Sequence, residues 1–268
     1  MKRFLTFVGA AAAVMLLPAC FELSSVISVN NDGSGSVEET TYVSAQVKAM
    51  LGSMKAGGGQ PGGGGDMKMD LLPTKEKAAE KAKKMGDGVT VKSHEEVKAP
   101  DGREGVKVVY AFTDINKINY EPGDMKDKGA DGKKEKPFAI SGGTLTITNH
   151  DSKKAKAEKK DDGAPKPSAA ELEQQMAMMR PMLAGMKMSF KVKAAGGIAS
   201  TDATHVAGDT ITIMEMNFDQ LLAKPEGVKK FAEMAENKDM SPAEAAEAFK
   251  GLDGVKIEPK EKVTVKLK

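Results

Sequence analysis

The sequence predicts an α+β fold, in which antiparallel β-hairpins form a sheet and several helices pack on one of its faces. Three observations predict this class. Short β-prone runs occur in pairs around Asn/Asp/Gly turns. Apolar residues at helical spacing occur between these pairs, and two Ser-x-x-Glu capping boxes mark helix starts. Paired strands interspersed with helices favour antiparallel pairing and an α+β arrangement.

The N-terminal part of the chain predicts one hairpin and two helices. The runs VISVN and SVEETTYV flank the turn sequence NDGSG, which is typical of a β-hairpin over residues 26–43. A short helix is expected from about Ser44 to Met54. A second helix is expected from Thr74 to Met85, with its apolar stripe at Ala78, Ala82 and Met85 and its stop at Gly86.

Two further hairpins are expected in the middle of the chain. The runs VTVKSHEEV and GVKVVYAF lie on either side of Pro100-Asp101-Gly102. The shorter runs FAIS and TLTIT lie on either side of Gly142-Gly143. Both turn sequences are rich in the residues that tight turns require.

The C-terminal part predicts three helices and three strands. The capping box at Ser168 begins a helix that Pro181 kinks or ends. Another helix is expected from Asp219 or Lys224 to about Ala235, and the capping box at Ser241 begins a third that stops at Gly251. The expected strands have apolar residues that alternate with polar ones, at positions 188–192, 209–216 and 263–267.

The chain divides into residues 1–19, expected to be a lipoprotein signal peptide, and residues 20–268, expected to be a single α+β domain. Three segments are poor in large apolar side chains and rich in glycine or charge: 55–66, 123–136 and 151–167. Such sequences bury too little surface to offset their ordering entropy, so we expect flexible insertions there.

The first twenty residues have the pattern of a secretory signal peptide, with a basic start, an apolar run over 4–17 and small Ala19 before the cut. Leu17-Pro18-Ala19-Cys20 resembles the lipobox of bacterial lipoproteins, and the resemblance implies a lipid anchor on Cys20. The alternative is an ordinary signal peptide followed by an incidental cysteine. Phe21, rather than aspartate, follows the cysteine. For a lipoprotein in a cell with two membranes, the resemblance then implies the periplasmic face of the outer membrane.

Composition argues against nucleic-acid binding. After removal of Lys2 and Arg3 with the signal peptide, the basic and acidic residues are equal in number, 38 of each. The sequence has no Trp and three Tyr. Neither a phosphate-tracking groove nor a base-stacking platform is therefore indicated.

Part of the chain resembles the LppM-type domain of bacterial lipoproteins. The resemblance rests on VISVNNDGSGSVEET near the N-terminus and on SFKVKAAGGIASTDATHVAGDTITI over residues 189–213, continuing to Leu222. Ala194-Ala195-Gly196 stands where that family more often has proline before glycine. The resemblance implies an α+β envelope domain that handles lipid, and it brings no catalytic residues to this sequence.

No catalytic, cofactor-binding or metal-binding residues are predicted. Residues 28–39 approach an EF-hand calcium loop, but Ser28 replaces its first carboxylate and the flanks are strands, so a hairpin is favoured. The glycines of residues 57–62 match a dinucleotide fingerprint only because the segment is glycine-rich. His94, His150 and His205 are isolated from one another in the sequence.

The methionines form the most distinctive group of residues. They crowd residues 176–188, and two more lie on the strand at 209–216. Three interpretations are open: core packing, a surface for an apolar ligand or partner helix, and a Cu(I) site, since thioethers suit both pliable apolar surfaces and soft metals. The candidate apolar-ligand surface comprises Met176, Met179, Leu183, Met214 and Met216.

We therefore expect a non-enzymatic lipoprotein of the cell envelope that binds lipid or another apolar ligand. The alternative is a structural or scaffold lipoprotein that docks a protein partner. Neither function requires a cofactor.

Overall fold

A computed structural model describes residues 21–49, 72–120, 136–149, 183–236 and 240–268. In these residues the fold is α+β, as the sequence predicts. The strands are β1 (Phe21–Val29), β2 (Gly35–Val43), β3 (Thr90–Lys98), β4 (Glu104–Phe112), β5 (Phe138–Ser141), β6 (Thr144–Thr148), β7 (Lys187–Ala194), β8 (Ile198–Thr201), β9 (Val206–Ala207), β10 (Thr210–Asn217), β11 (Val255–Ile257) and β12 (Lys262–Leu267). The helices are α1 (Lys75–Met85), α2 (Phe218–Leu221), α3 (Pro225–Glu236) and α4 (Pro242–Ala248).

The strands form two sheets. The larger has the order β11-β10-β7-β1-β2-β4-β3, with β9 also paired to β10, and the smaller has the order β5-β6-β12-β8. The three predicted hairpins are confirmed as the antiparallel pairs β1–β2, β3–β4 and β5–β6. Residues 45–49 are helical, which agrees with the short helix predicted after the first hairpin.

A parallel pair lies at the centre of the larger sheet. Strand β1 pairs with β7 along most of its length, so that Leu23 lies opposite Met188 and Ile27 lies opposite Val192. The other described pairs of strands are antiparallel. Because β1 has β2 on its other side, the first strand of the described chain is fully internal to the sheet.

The two sheets share the main apolar core. One face of the larger sheet contributes alternate residues of β1, β2, β4, β7 and β10, such as Ile27, Val37 and Val192, and we call this face the inner face. The smaller sheet contributes Phe138, Leu145, Ile147, Val263, Val265 and Leu267. The alternation of buried and exposed residues along β12 is therefore the expected pattern of a strand with one face against the core.

Helix α1 has the boundaries and the buried face that its sequence predicts. The Thr74 side chain accepts a hydrogen bond from the Lys77 backbone N–H at 3.3 Å, and Ala78, Ala82 and Met85 are buried. Gly86 ends the helix at φ 138°, where a Cβ atom would lie 2.4 Å from the carbonyl oxygen of Lys117. Only glycine fits that position.

Two helices occupy the region where one was expected to end near Ala235. The Asn217 side chain caps the short α2, and Pro225 then begins α3. In α4 both hydrogen bonds of the predicted capping box between Ser241 and Glu244 are present. This helix ends at Ala248, before the stop predicted at Gly251. No helix within the described ranges combines the length and apolar character that crossing a membrane requires.

Candidate functional site

A second apolar cluster lies where β7 begins and β10 ends. Its buried members are Met216, Phe218, Leu221, Leu222, Val228 and Phe249. The half-buried side chains packed against them are Leu183, Met186, Met188, Phe231, Met234, Ala248, Leu252, Val255 and Ile257. We call this group the methionine-rich cluster. It contains Leu183 and Met216, two of the residues assigned to the candidate apolar-ligand surface.

Met214 lies beside this cluster but packs against the main core. The pairing of β10 with β7 is irregular between Thr212 and Met214, so Met214 lies opposite Phe190 and Met216 lies opposite Met188. A bulge of this kind shifts the alternation of side chains along a strand. Beyond the irregularity both methionines lie on the inner face, in adjacent cross-strand rows, and they belong to different clusters.

Four apolar residues form one row across the inner face at this end of the larger sheet. Leu23 on β1 lies opposite Met188 on β7, Met188 lies opposite Met216 on β10, and Met216 lies opposite Val255 on β11. Directly opposed residues on neighbouring strands share a face of the sheet. Met216 is buried, whereas Leu23, Met188 and Val255 keep part of their surface exposed. This row is an apolar surface that only partly belongs to a closed core.

The turn before β7 is fixed to helix α2. The Gly185 backbone N–H donates to the Asp219 side chain at 2.6 Å, and the Phe218 N–H donates to the Met186 carbonyl at 3.0 Å. The Phe218 ring also meets the Phe231 ring of α3 edge-on, with centroids 5.4 Å apart. These contacts hold Leu183 and Met186 against the helices of the methionine-rich cluster.

The remaining predicted residues lie outside the described part of the chain. Cys20, Met176 and Met179 belong to that group, as does the capping box at Ser168. The segments near 55–66 and 151–167 also lie outside it, as does all of 123–136 except Lys136.

A buried polar network lies next to the apolar row, and the sequence did not predict it. Glu39 is 6% exposed on the inner face of β2. Its Oε1 atom accepts hydrogen bonds from the Tyr120 hydroxyl at 2.6 Å and from Lys81 Nζ of helix α1 at 2.8 Å. The only sequence signal for its burial is the alternation Val37, Glu39, Thr41, Val43, which puts Glu39 in phase with apolar residues.

The surroundings of Tyr120 raise its pKa well above its ordinary value. Burial is the first cause, and the negative charge of Glu39 beside the hydroxyl is the second. Lys81 Nζ lies 5.7 Å from the centre of the Tyr120 ring, and the Phe190 ring lies 6.0 Å from it. Since Phe190 and Met214 are opposite each other, the polar network touches the row of side chains next to Met188 and Met216.

The hairpin interpretation of residues 28–39 is confirmed. Glu39, the twelfth residue of the calcium pattern, is buried on the inner face, where its Oε1 atom accepts hydrogen bonds from Tyr120 and Lys81. In the turn, the Asp32 carboxylate accepts from the backbone N–H and the hydroxyl of Ser34 at 2.9 and 2.6 Å. These hydrogen bonds lower the pKa of Asp32.

The two described histidines contact backbone carbonyls. The distance from His94 Nε2 to the Pro73 oxygen is 2.8 Å, and that from His205 Nε2 to the Ile257 oxygen is 3.1 Å. His150 lies outside the described residues. Within the described ranges, His, Cys, Asp and Glu side chains form no group of three that is arranged to hold a metal ion.

Comparisons with known proteins leave the family of this chain open. No family model matches the sequence, and no curated protein matches it. Among solved structures, the folded domain of the Mycobacterium tuberculosis LppM protein, determined by NMR, matches with 9% sequence identity and a TM-score of 0.30. That match covers 81% of this chain and 88% of the other.

Proposed function

We propose that this protein is a lipid-anchored lipoprotein of the cell envelope whose domain binds a lipid or another apolar molecule without catalysing a reaction. The half-exposed row of Leu23, Met188 and Val255 beside buried Met216 carries the binding proposal. Half-exposed apolar side chains on adjacent strands offer a ready contact surface for an apolar ligand. Methionine suits such a surface because its unbranched side chain adapts to ligands of different shape.

The anchor is proposed from the sequence around Cys20. The basic start, the apolar run and Leu17-Pro18-Ala19-Cys20 support export and lipid attachment. Two or more acyl chains hold a protein stably on a bilayer, since each buried methylene contributes about 0.8 kcal/mol. Phe21 after the cysteine supports the periplasmic face of the outer membrane in a cell with two membranes.

The anchor is tested by labelling cells that express the whole chain with radioactive palmitate. We expect label in the protein and its recovery with the membranes, in the outer-membrane fraction of a two-membrane cell. Cys20→Ala should remove the label. Equal labelling of both proteins would rule out the anchor at Cys20, and recovery with the inner membrane would rule out the outer-membrane assignment.

Binding is tested by native mass spectrometry of residues 21–268, produced in bacteria and purified without detergent. We expect additional mass that resolves into lipid species. Met188→Lys puts a charge in the apolar row and should reduce the fraction of protein carrying lipid. Ser189→Lys is the matched control, because Ser189 is the next residue of β7 and lies on the opposite face of the sheet.

Circular dichroism and thermal unfolding establish that both variants are folded. If Met188→Lys does not fold, Met188→Gln offers a polar side chain of similar length. Retained lipid in a folded Met188 variant would exclude the row as the binding surface. A protein mass without any ligand would instead favour the scaffold lipoprotein, for which crosslinking in cells identifies the protein partner.

A further inference from the structure

The larger sheet begins directly after the residue proposed to carry the lipid. Phe21, the residue after Cys20, is the first residue of β1 and lies opposite Val43 of β2. Glu22 is already paired on both sides, with Tyr42 of β2 and Lys187 of β7. Consecutive Cα atoms are about 3.8 Å apart, so no spacer separates Cys20 from a central strand of the sheet.

We propose that the end of the larger sheet at Phe21 is the surface by which the protein rests on the bilayer. This inference depends on the proposed anchor at Cys20. Lipid on Cys20 holds its glyceryl group at the level of the headgroups, and β1 leaves that point without slack. We call this surface the anchored end, and the neighbouring strands reach it at Val43, Glu104, Lys187 and Asn217.

The anchored end is stiffened by a buried arginine. Arg103, in the turn between β3 and β4, donates from Nη2 to Glu22 Oε2 at 2.8 Å and from Nε to Asp101 Oδ2 at 2.8 Å. Its guanidinium lies 5.4 Å from the centre of the Tyr42 ring. The second residue of β1 is thereby bonded to the adjacent turn, and the strand cannot swing freely about the anchor.

The chemistry of this end fits the headgroup layer rather than the hydrocarbon interior. Among the described residues, the exposed large apolar side chain is that of Val206 on β9. Strand β9 pairs with the beginning of β10, which is the end of that strand far from the anchored end. At the anchored end, Lys48 pairs with Glu104, and Lys187 is exposed and makes no ion pair with any described residue. A lysine in that position can contact lipid phosphates. A basic residue near an anionic membrane surface contributes about 1 kcal/mol to membrane binding.

The opposite end of the sheet lies far from the membrane in this orientation. The eight steps from Phe21 to Val29 along β1 rise by about 3.3 Å each, which puts Val29 and the turn after it about 26 Å from Phe21. Gly33 lies in this far turn, and a Cβ atom on it would be 3.1 Å from the side chain of Ile140. The next residue, Ser141, is therefore also at the far end, and it is exposed. Met188 directly follows Lys187, so the apolar row lies near the bilayer, where an apolar ligand can pass between membrane and protein.

The orientation is tested with the whole lipidated chain in vesicles of phosphatidylcholine and phosphatidylglycerol that contain a nitroxide-labelled headgroup. Lys187→Cys and Ser141→Cys each receive a thiol-reactive fluorophore. We expect strong loss of emission from the label at position 187 and little loss at position 141. Equal loss of emission at the two positions would overturn the proposed orientation. Circular dichroism of the labelled proteins establishes that each is folded.

Two controls separate the orientation from the anchor. Unsubstituted protein should take up no fluorophore because lipid occupies the sulfur of Cys20; uptake would mean that the anchor itself has failed. A spacer of about 12 Gly/Ser residues between Cys20 and Phe21 has an end-to-end distance of about 19 Å. It should restore emission at position 187. If the label at position 187 were still quenched as strongly with the spacer, the direct connection between Cys20 and Phe21 would not be what sets the orientation.

Discussion

The Tyr120 hydroxyl donates a 2.6 Å hydrogen bond to Glu39 Oε1 in the interior of the protein. Lys81 Nζ lies 2.8 Å from the same oxygen. The carboxylate therefore joins three separate parts of the chain: strand β2, helix α1 and the segment that follows β4, which contains Tyr120. A buried charge with two hydrogen-bonding partners is tolerated, whereas the loss of one partner is costly.

Tyr120→Phe should lower the free energy of unfolding by about 1.5–3 kcal/mol, the contribution of a buried hydrogen bond to a charged group. Urea unfolding followed by circular dichroism measures this difference. Tyr42→Phe is the matched control, since Tyr42 lies half-buried on the outer face of β2 and its ring meets Arg103. Equal effects of the two substitutions would contradict a special contribution of the Tyr120 hydroxyl.

The same bond predicts a dependence of stability on alkaline pH. In the folded protein the pKa of Tyr120 is raised, chiefly by burial and then by the charge of Glu39. In the unfolded chain it returns to about 10. The contribution is complete below that pH, and it is lost as the pH rises towards the folded pKa, because only the unfolded state then releases the proton.

The difference in unfolding free energy between the wild type and Tyr120→Phe should therefore narrow above about pH 10. Urea unfolding at a series of alkaline pH values provides the measurement. A constant difference across that range would argue that the pKa of Tyr120 is not raised by folding.

Gly227→Ala should destabilise the methionine-rich cluster. A Cβ atom on Gly227, in the first turn of α3, would lie 1.8 Å from the carbonyl oxygen of Leu221 in α2. The two helices must separate to admit it, and overpacking of this kind costs about 1–3 kcal/mol. Glu226→Ala, at the exposed preceding residue, should change the melting temperature little. An unchanged melting temperature for Gly227→Ala would mean that α2 and α3 are not closely packed there.

Ser241→Ala should lower stability by about 1 kcal/mol through loss of the N-cap of α4. The Ser241 hydroxyl accepts from the Glu244 N–H at 3.2 Å, and the Glu244 carboxylate accepts from the Ser241 N–H at 2.7 Å. Ser200→Ala removes an exposed hydroxyl from β8 and serves as the control. Thermal unfolding compares the two variants, and matching curves would speak against a stabilising cap.

Arg103→Lys should cost at least about 1.5 kcal/mol although the charge is kept. Lysine cannot reproduce the fork that binds Asp101 and Glu22 together. Lys107→Ala is the control, because the Lys107–Glu38 pair is half-exposed and surface pairs contribute about 0–1 kcal/mol. Urea unfolding at neutral pH measures the loss of unfolding free energy in both variants. A loss in Arg103→Lys no larger than that in Lys107→Ala would contradict a stabilising contribution from the two hydrogen bonds of the buried Arg103.

The stability of Arg103→Lys at acid pH tests the contact between Arg103 and Asp101 a second time. Hydrogen bonds from Arg103 lower the pKa of Asp101 in the folded protein. The resulting stabilisation is present above the unfolded pKa of about 3.9 and is lost as the pH falls through the lower folded value. The difference between wild type and Arg103→Lys should accordingly shrink below about pH 4.

The sequence by itself determined the local elements of this protein. The turn residues between β1 and β2 predict the first hairpin, and Thr74 and Gly86 predict both ends of α1. The capping box at Ser241 predicts the start of α4. In each case the groups that interact are within a few residues of one another, so their pattern is visible in a single sequence.

Only the tertiary structure decided which distant elements meet. The parallel pairing of β1 with β7 joins strands that more than a hundred residues separate, and no local pattern selects that partner. Nothing near Glu39 in the sequence identifies its partners, Tyr120 and Lys81, because they come from other parts of the chain and contact it only in the folded protein. Likewise, the irregular pairing of β10 before Met214 brings both Met214 and Met216 onto the inner face, opposite Phe190 and Met188. Which distant strands pair and which side chains become buried together depends on contacts between residues far apart in the sequence. A local pattern of residues carries no information on those contacts.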